Sequence, residues 1–146
     1  MITAATILIA VALLGGTVLM HDAVLHWAGG AVMEARMRQR RRVLLVIFAC
    51  LGAHVIEIAL YAAAFAAMHA LPAFGHLSGM IDHSPLDYFY FSASSFTTVG
   101  YGDIHPEGPL RIVAGLESLN GFILITWSAS FTYLMMRRSW HPGDDW

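Results

Sequence analysis

About two thirds of the way along the chain eight residues, Phe96 to Asp103, read FTTVGYGD. They hold no nucleophile–base pair and no set of metal-binding side chains. What they offer is backbone oxygen. After Thr97 the run TVGYG is suited to an extended strand whose carbonyls point one way, because Gly100 and Gly102 permit backbone angles that other residues resist. The valine and tyrosine side chains are then free to pack backwards into protein. Just before it, SPLD supplies a helix start, with Ser84 as N-cap, Pro85 in the first turn and Asp87 as the capping acid. YFYFSASSFTT then predicts a short helix whose C-terminal end, the negative pole of its dipole, points at the same place. Helix end and carbonyls together stabilise a cation stripped of water. One chain supplies one wall of such an oxygen cage, so a closed pathway needs several copies around a symmetry axis.

The elements that must position this segment follow from composition. The chain has 146 residues, 58% of them hydrophobic and 12% charged, with a mean hydropathy of +0.62. Such a chain reads as an integral membrane protein. Its formal charge of −2 gives no hint of a nucleic-acid partner. The lone Cys50 sits in an apolar run and reads as a buried structural thiol, without a disulfide framework or zinc cluster. Three segments reach the roughly 20 apolar residues a spanning helix needs: 2–20, 43–71 and 110–136. The run 86–98 is too short to span, so it must enter and turn back, which non-helical backbone tolerates only where protein buries it or water lines it.

Orientation follows from arginine, since there is no lysine and seven of eight arginines fall in RMRQRRR (36–42) and at Arg137 and Arg138. The positive-inside rule makes these cytoplasmic. The N-terminus is then outside, the C-terminus inside, and the segment 71–85 an external linker rich in turn residues. Arg111, the exception, falls near the outer interface, where it can snorkel. HWAGG (26–30) is expected to break the first helix from an amphipathic basic piece lying along anionic headgroups. The expected organisation is therefore an N-terminal transmembrane helix (1–30), a basic cytoplasmic linker (31–42), a pore domain (43–136) and a short cytoplasmic tail (137–146). The chain is expected in the plasma (inner) membrane as a multi-pass protein.

TTVGYGD resembles the potassium-channel selectivity filter, in which rings of carbonyls replace the hydration shell of the ion. The resemblance covers about residues 43–136 as outer helix, pore helix, filter and inner helix. It implies an all-α membrane protein, with three transmembrane helices plus a re-entrant pore helix and filter loop, assembled as a homotetramer. It further implies K+ ions held by the carbonyls of Thr98, Val99, Gly100 and Tyr101 and by the Thr98 hydroxyl, with Gly102 completing the outer mouth. Thr97, Asp103 and Tyr90 are implied as filter support, Tyr101 packing on the pore helix and Asp103 bonding to Tyr90. No organic cofactor is implied. The sequence departs from the family where some members carry a pore-helix glutamate, since Ser94 stands there. Tyr90 and Phe91 replace paired tryptophans.

Gly121 stands where many members place a hinge glycine in the inner helix; a tight helix contact is the alternative. Phe122, Ile125, Ala129 and Tyr133 follow at helical spacing and line the cavity if Gly121 faces it, an ordinary packing stripe being the other reading. Two acids fall in apolar spans, Glu57 and Glu117, where an aspartate costs about 2.5–3.5 kcal/mol even on lenient insertion scales. They need partners or protons. His54 lies three residues before Glu57 and Asn120 three after Glu117, each on the same helix face. A pH-sensitive latch and a permanently satisfied polar contact are both open, the second favoured by the general pairing of buried polar groups. His69, His76, His83 and His105 fall outside at spacings unlike a metal motif.

No helix carries the regular arginines of a voltage sensor. No phosphate loop, nucleophile elbow or metal-ligand set marks an enzyme. The implied function is passive K+ conduction; the alternatives are a non-conducting or regulatory membrane subunit, or an ion-translocating subunit of a larger K+ transport complex. Partners are other copies of the chain and lipid, with anionic headgroups near Arg36, Arg38, Arg40, Arg41 and Arg42.

Overall fold

The computed structural model describes residues 1–34 and 38–140. Four helices carry it: α1 (Ile2–Glu34), α2 (Gln39–His69), α3 (Pro85–Phe96) and α4 (Leu110–Trp140). α1, α2 and α4 are long and apolar enough to cross a membrane. The 33 residues of α1 and the 31 of α2 and α4 extend about 45–50 Å at 1.5 Å per residue, beyond a hydrocarbon core of about 30 Å. The chain is an all-α multi-pass membrane protein.

α1 does not break at HWAGG, as the sequence suggested, but runs through it to Glu34. Glycine is tolerated in a spanning helix when neighbouring helices cover it, and a Cβ at Gly29 would lie 3.4 Å from the Phe131 ring of α4. The expected interfacial helix over 31–42 is therefore absent as a unit. Its first residues end α1 and Gln39 to Arg42 open α2. Arg36 lies outside the described residues.

α2 ends at His69 because Pro72 follows two residues after its Ala70 cap, and Pro72–Phe74 forms a single 3-10 turn. The linker is more ordered than its turn-rich composition implied. Its strand β1 (His76–Gly79) pairs antiparallel with β2 (Ile104–Glu107), in register His76 to Glu107 and Gly79 to Ile104. This hairpin joins the segment before α3 to the segment after the candidate filter.

Two apolar clusters hold the bundle. The larger joins Tyr61 and Phe65 of α2, Phe91 and Phe96 of α3, and Leu110, Val113 and Leu124 of α4. Phe65 and Phe91 meet edge to face at 5.0 Å, the arrangement their ring quadrupoles favour. The second sets Leu25, Ala28 and Val32 of α1 against Val46 and Cys50 of α2, with Trp127 and Phe131 of α4 alongside. Cys50 is a free, buried thiol.

Candidate functional site

α3 starts as its sequence dictates. The Ser84 hydroxyl accepts from the Asp87 amide at 3.3 Å, the Asp87 carboxylate accepts from the Ser84 amide at 3.0 Å, and Pro85 occupies the first turn. A cap of this kind stabilises a helix by about 1 kcal/mol. The Ser84 amide is the first cause that holds the Asp87 carboxyl below the usual carboxylate range. Asp87 also accepts from the Asp82 amide at 3.0 Å, which ties the incoming chain to the helix.

Past Phe96 the backbone is not a plain extended strand. φ is positive at Thr98 (60°), Gly100 (57°) and Gly102 (83°), but not at Val99 or Tyr101 between them. In an ordinary strand successive carbonyls point to opposite sides. Alternating hand turns successive amides to one side and successive carbonyls to the other. The hydrogen bonds agree: Val99 N and Gly100 N donate to the Ser94 carbonyl at 3.0 and 3.2 Å, and Tyr101 N donates to the Ser94 hydroxyl at 3.3 Å. Three consecutive amides thus converge on one residue of α3. Their carbonyls are left for the opposite, open face, where Thr97 through Gly102 are all exposed in the single chain.

Ser94 was conspicuous in the sequence only as a missing glutamate. Its backbone role had no signal there, because any residue at that place brings a carbonyl. Thr97 ends the helix with its hydroxyl donating to the Ala93 carbonyl at 2.7 Å. Tyr90 and Asp103 are brought together, the phenol donating to a carboxylate oxygen at 2.9 Å. The Tyr90 and Tyr101 rings lie nearly parallel at 6.0 Å. The Asp103 carbonyl accepts the Met80 amide at 2.8 Å, so the hairpin grips the loop just past Gly102.

Gly121 faces α3 of its own chain. A Cβ there would fall 2.0 Å from the Phe96 carbonyl oxygen, which explains the glycine by close approach. Phe122, Ile125, Ala129 and Tyr133 share a different face of α4, exposed in the single chain.

The intramembrane acids are both fully buried, and only one of the two pairings expected within a helix forms. His54 Nδ1 meets Glu57 at 2.8 Å. Asn120 does not meet Glu117. Its amide donates to the Thr17 hydroxyl at 2.7 Å and to the Tyr61 phenol at 3.2 Å, while Glu117 is bonded to Ser92 of α3. The Ser92 hydroxyl also contacts the Ile58 carbonyl at 2.8 Å. A carbonyl only accepts and Ser92 has one hydrogen, so both bonds are made when Glu117 carries a proton and donates it to Ser92. The partners from α1, Thr17 and His21, gave no periodic signal within an apolar helix.

A family model described as an ion channel matches residues 53–138, more than half of the chain. No curated protein and no solved structure matches it. The matched span contains the pore-helix candidate, the loop of alternating hand and the helix that supports them, and the chain belongs to the potassium-channel pore-domain family of ion channels.

Proposed function

We propose that four copies of this chain form a pore that selects K+ and conducts it passively. The observation that carries this reading is the convergence of the Val99, Gly100 and Tyr101 amides on Ser94, which leaves the carbonyls of Thr98 to Tyr101 free for an ion. K+ is the cargo, and each subunit contributes one wall of its coordination.

A cleft of about 660 Å³ beside the loop, lined among others by Ser95, Gly100, Gly102, Gly115 and Ser118, gives a neighbouring copy room to pack. Four walls around one axis close the cage and cover Tyr101, which is 70% exposed in the single chain. The hairpin end faces outside and the arginine-rich end the cytoplasm, where Arg38, Arg40, Arg41 and Arg42 lie at the level of anionic headgroups.

The test is K+ flux from liposomes that hold the purified full chain, loaded with K+ and diluted into Na+. The expected result is flux that barium blocks and that Gly100→Asp abolishes, with a tetramer by mass. A monomeric protein, or equal Na+ and K+ flux, overturns the reading.

A further inference from the structure

At mid-height in the bundle, where the His54 ring lies 5.7 Å from the Phe96 ring at the end of α3, four side chains from three helices close a ring. His21 Nδ1 of α1 and His54 Nδ1 of α2 each meet a separate oxygen of Glu57 at 2.8 Å. On the far side both Nε2 atoms meet the Ser128 hydroxyl of α4, at 3.0 Å from His21 and 3.1 Å from His54. His21 and Glu57 are fully buried and the His54 side chain is 14% exposed.

We propose that His21, His54, Glu57 and Ser128 form a buried proton-binding site that clamps α1 to α2 and α4, and that releases it when a proton is added or lost. The argument is a count. Four hydrogen bonds need four hydrogens, one per bond, and the Ser128 hydroxyl supplies one. Three remain for two imidazoles and a carboxyl, one more than two neutral rings and a carboxylate carry. With that proton on either imidazole beside the Glu57 carboxylate, or on the carboxyl itself, the ring is neutral and every bond is made. Passing the His54 Nε2 proton to Ser128 Oγ while the hydroxyl proton moves to His21 Nε2 carries the charge from α2 to α1. No proton leaves the ring, and all four bonds persist.

Removing one proton sets two lone pairs against each other and leaves a net negative charge. Adding one places two N–H donors on the Ser128 oxygen, turns its hydroxyl hydrogen out of the ring and leaves a net positive charge. Unpaired polar atoms and net charge are both costly in a dry interior. α1 therefore docks best with four hydrogens in the ring and loosens on either side.

The surroundings leave the ring to set its own charge. On α1, Asp22 and His26 are exposed. Within α2, Cys50 lies a turn before His54, and the Tyr61 phenol a turn beyond Glu57 is bonded to Asn120. Glu117 of α4 is bonded to Ser92 of α3, and the neutral Trp127 ring lies 5.6 Å from His21. Arg42 lies about 18 Å along α2 from His54, and Arg137 about 13 Å along α4 from Ser128.

His21, His54 and Glu57 bring possible metal ligands within 4.8 Å of one another. The two imidazole planes, however, are within 22° of parallel with centroids 5.1 Å apart, and each nitrogen already ends on an oxygen. Lone pairs in near-parallel planes suit two separate oxygens better than one tetrahedral ion.

The test does not rely on conduction. The full chain, 15N-labelled at histidine, is titrated in lipid nanodiscs by NMR from about pH 4 to 9, with Tm followed in parallel. His21 and His54 are expected to titrate together with shared transitions, and Tm to peak where the pair holds one proton beyond two neutral rings. Ser128→Ala is expected to uncouple the rings and displace the Tm maximum, and Ser128→Thr to keep wild-type behaviour. Independent transitions in the wild type, no titration in this range, or uncoupling in Ser128→Thr overturns the proposal. So does a saturable shift of both rings by one equivalent of Zn2+, which assigns the site to a metal. Should Ser128→Ala fail to fold, the wild type and Ser128→Thr still decide.

Discussion

Gly121 of α4 lies directly beneath the last residue of α3, where a Cβ would meet the Phe96 carbonyl oxygen at 2.0 Å. Backbone against backbone has no flexible end that can yield. The contact seats the C-terminal end of α3, and with it the start of the loop of alternating hand, on α4.

Gly121→Ala is accordingly expected to cost about 1–3 kcal/mol, the usual range for overpacking a close contact, and to abolish K+ flux from liposomes. Gly52→Ala, on α2 with nothing within 4 Å of the added atom, is the control and is expected to retain the wild-type Tm. Equal Tm and flux in the two variants would show that α3 does not need this seat.

Ser94 acts on the loop in two ways, through its carbonyl and its hydroxyl. Ser94→Ala keeps the first and loses only the bond to Tyr101 N, so a loss of about 0.5–1.5 kcal/mol is expected. The tetramer should assemble and conduct, with a lower preference for K+ over Na+. Reversal potentials under bi-ionic conditions measure this. Unchanged selectivity would place the discrimination elsewhere.

Tyr90 and Asp103 share one hydrogen bond, so their removal should not add. Tyr90→Phe and Asp103→Ala are each expected to speed the loss of flux with time, and the double variant to be no worse than the worse single one. Additive decay rates in the three proteins would show that the two residues act separately.

The hairpin has its own pH dependence. The Ser78 side chain first, then His76, His105 and Arg111, hold the Glu107 carboxyl below its ordinary value. A depressed carboxylate contributes stability above its unfolded pKa and loses it as pH falls through the folded one. The backbone amide shift of Ser78 is therefore expected to carry a limb on the acid side of the ordinary carboxylate range. In Glu107→Gln that acid limb should vanish, and its persistence would assign the change to another group.

Asn120→Leu tests the attachment of α1. The substitution removes the donor to Thr17 and Tyr61 inside a buried contact and is expected to cost about 1–3 kcal/mol. Limited proteolysis near the α1–α2 connection should then become faster. An unchanged cleavage rate and Tm would mean that the apolar cluster around Leu25 and Ala28 holds α1 without help.

Local chemistry made much of the fold legible in the sequence. The length of the apolar runs announced three spanning helices, because a bilayer imposes a minimum span. Ser84, Pro85 and Asp87 marked the start of α3, because caps act within one turn. FTTVGYGD marked the loop, because its glycines stand where φ is positive. The alternating hand of that loop was less visible, since Thr98 shares it without being a glycine.

What only the tertiary structure decided depends on residues far apart in the chain. His21 reaches Glu57 across 36 positions and Ser128 across 107, and Asn120 reaches Thr17 across 103. A helix apolar on all sides has no stripe to show which face packs inward, so the docking of α1 was illegible until its few polar side chains met their partners. The pairing of β1 with β2, the continuity of α1 through Gly29 and the seat of Phe96 on Gly121 are of the same kind. Sequence by itself determined which segments enter the membrane and where the carbonyl-rich loop begins, because span length and capping are local. Packing decided which buried polar groups pair, because a hydrogen bond in a dry interior is settled by whichever partner the fold brings within about 3 Å.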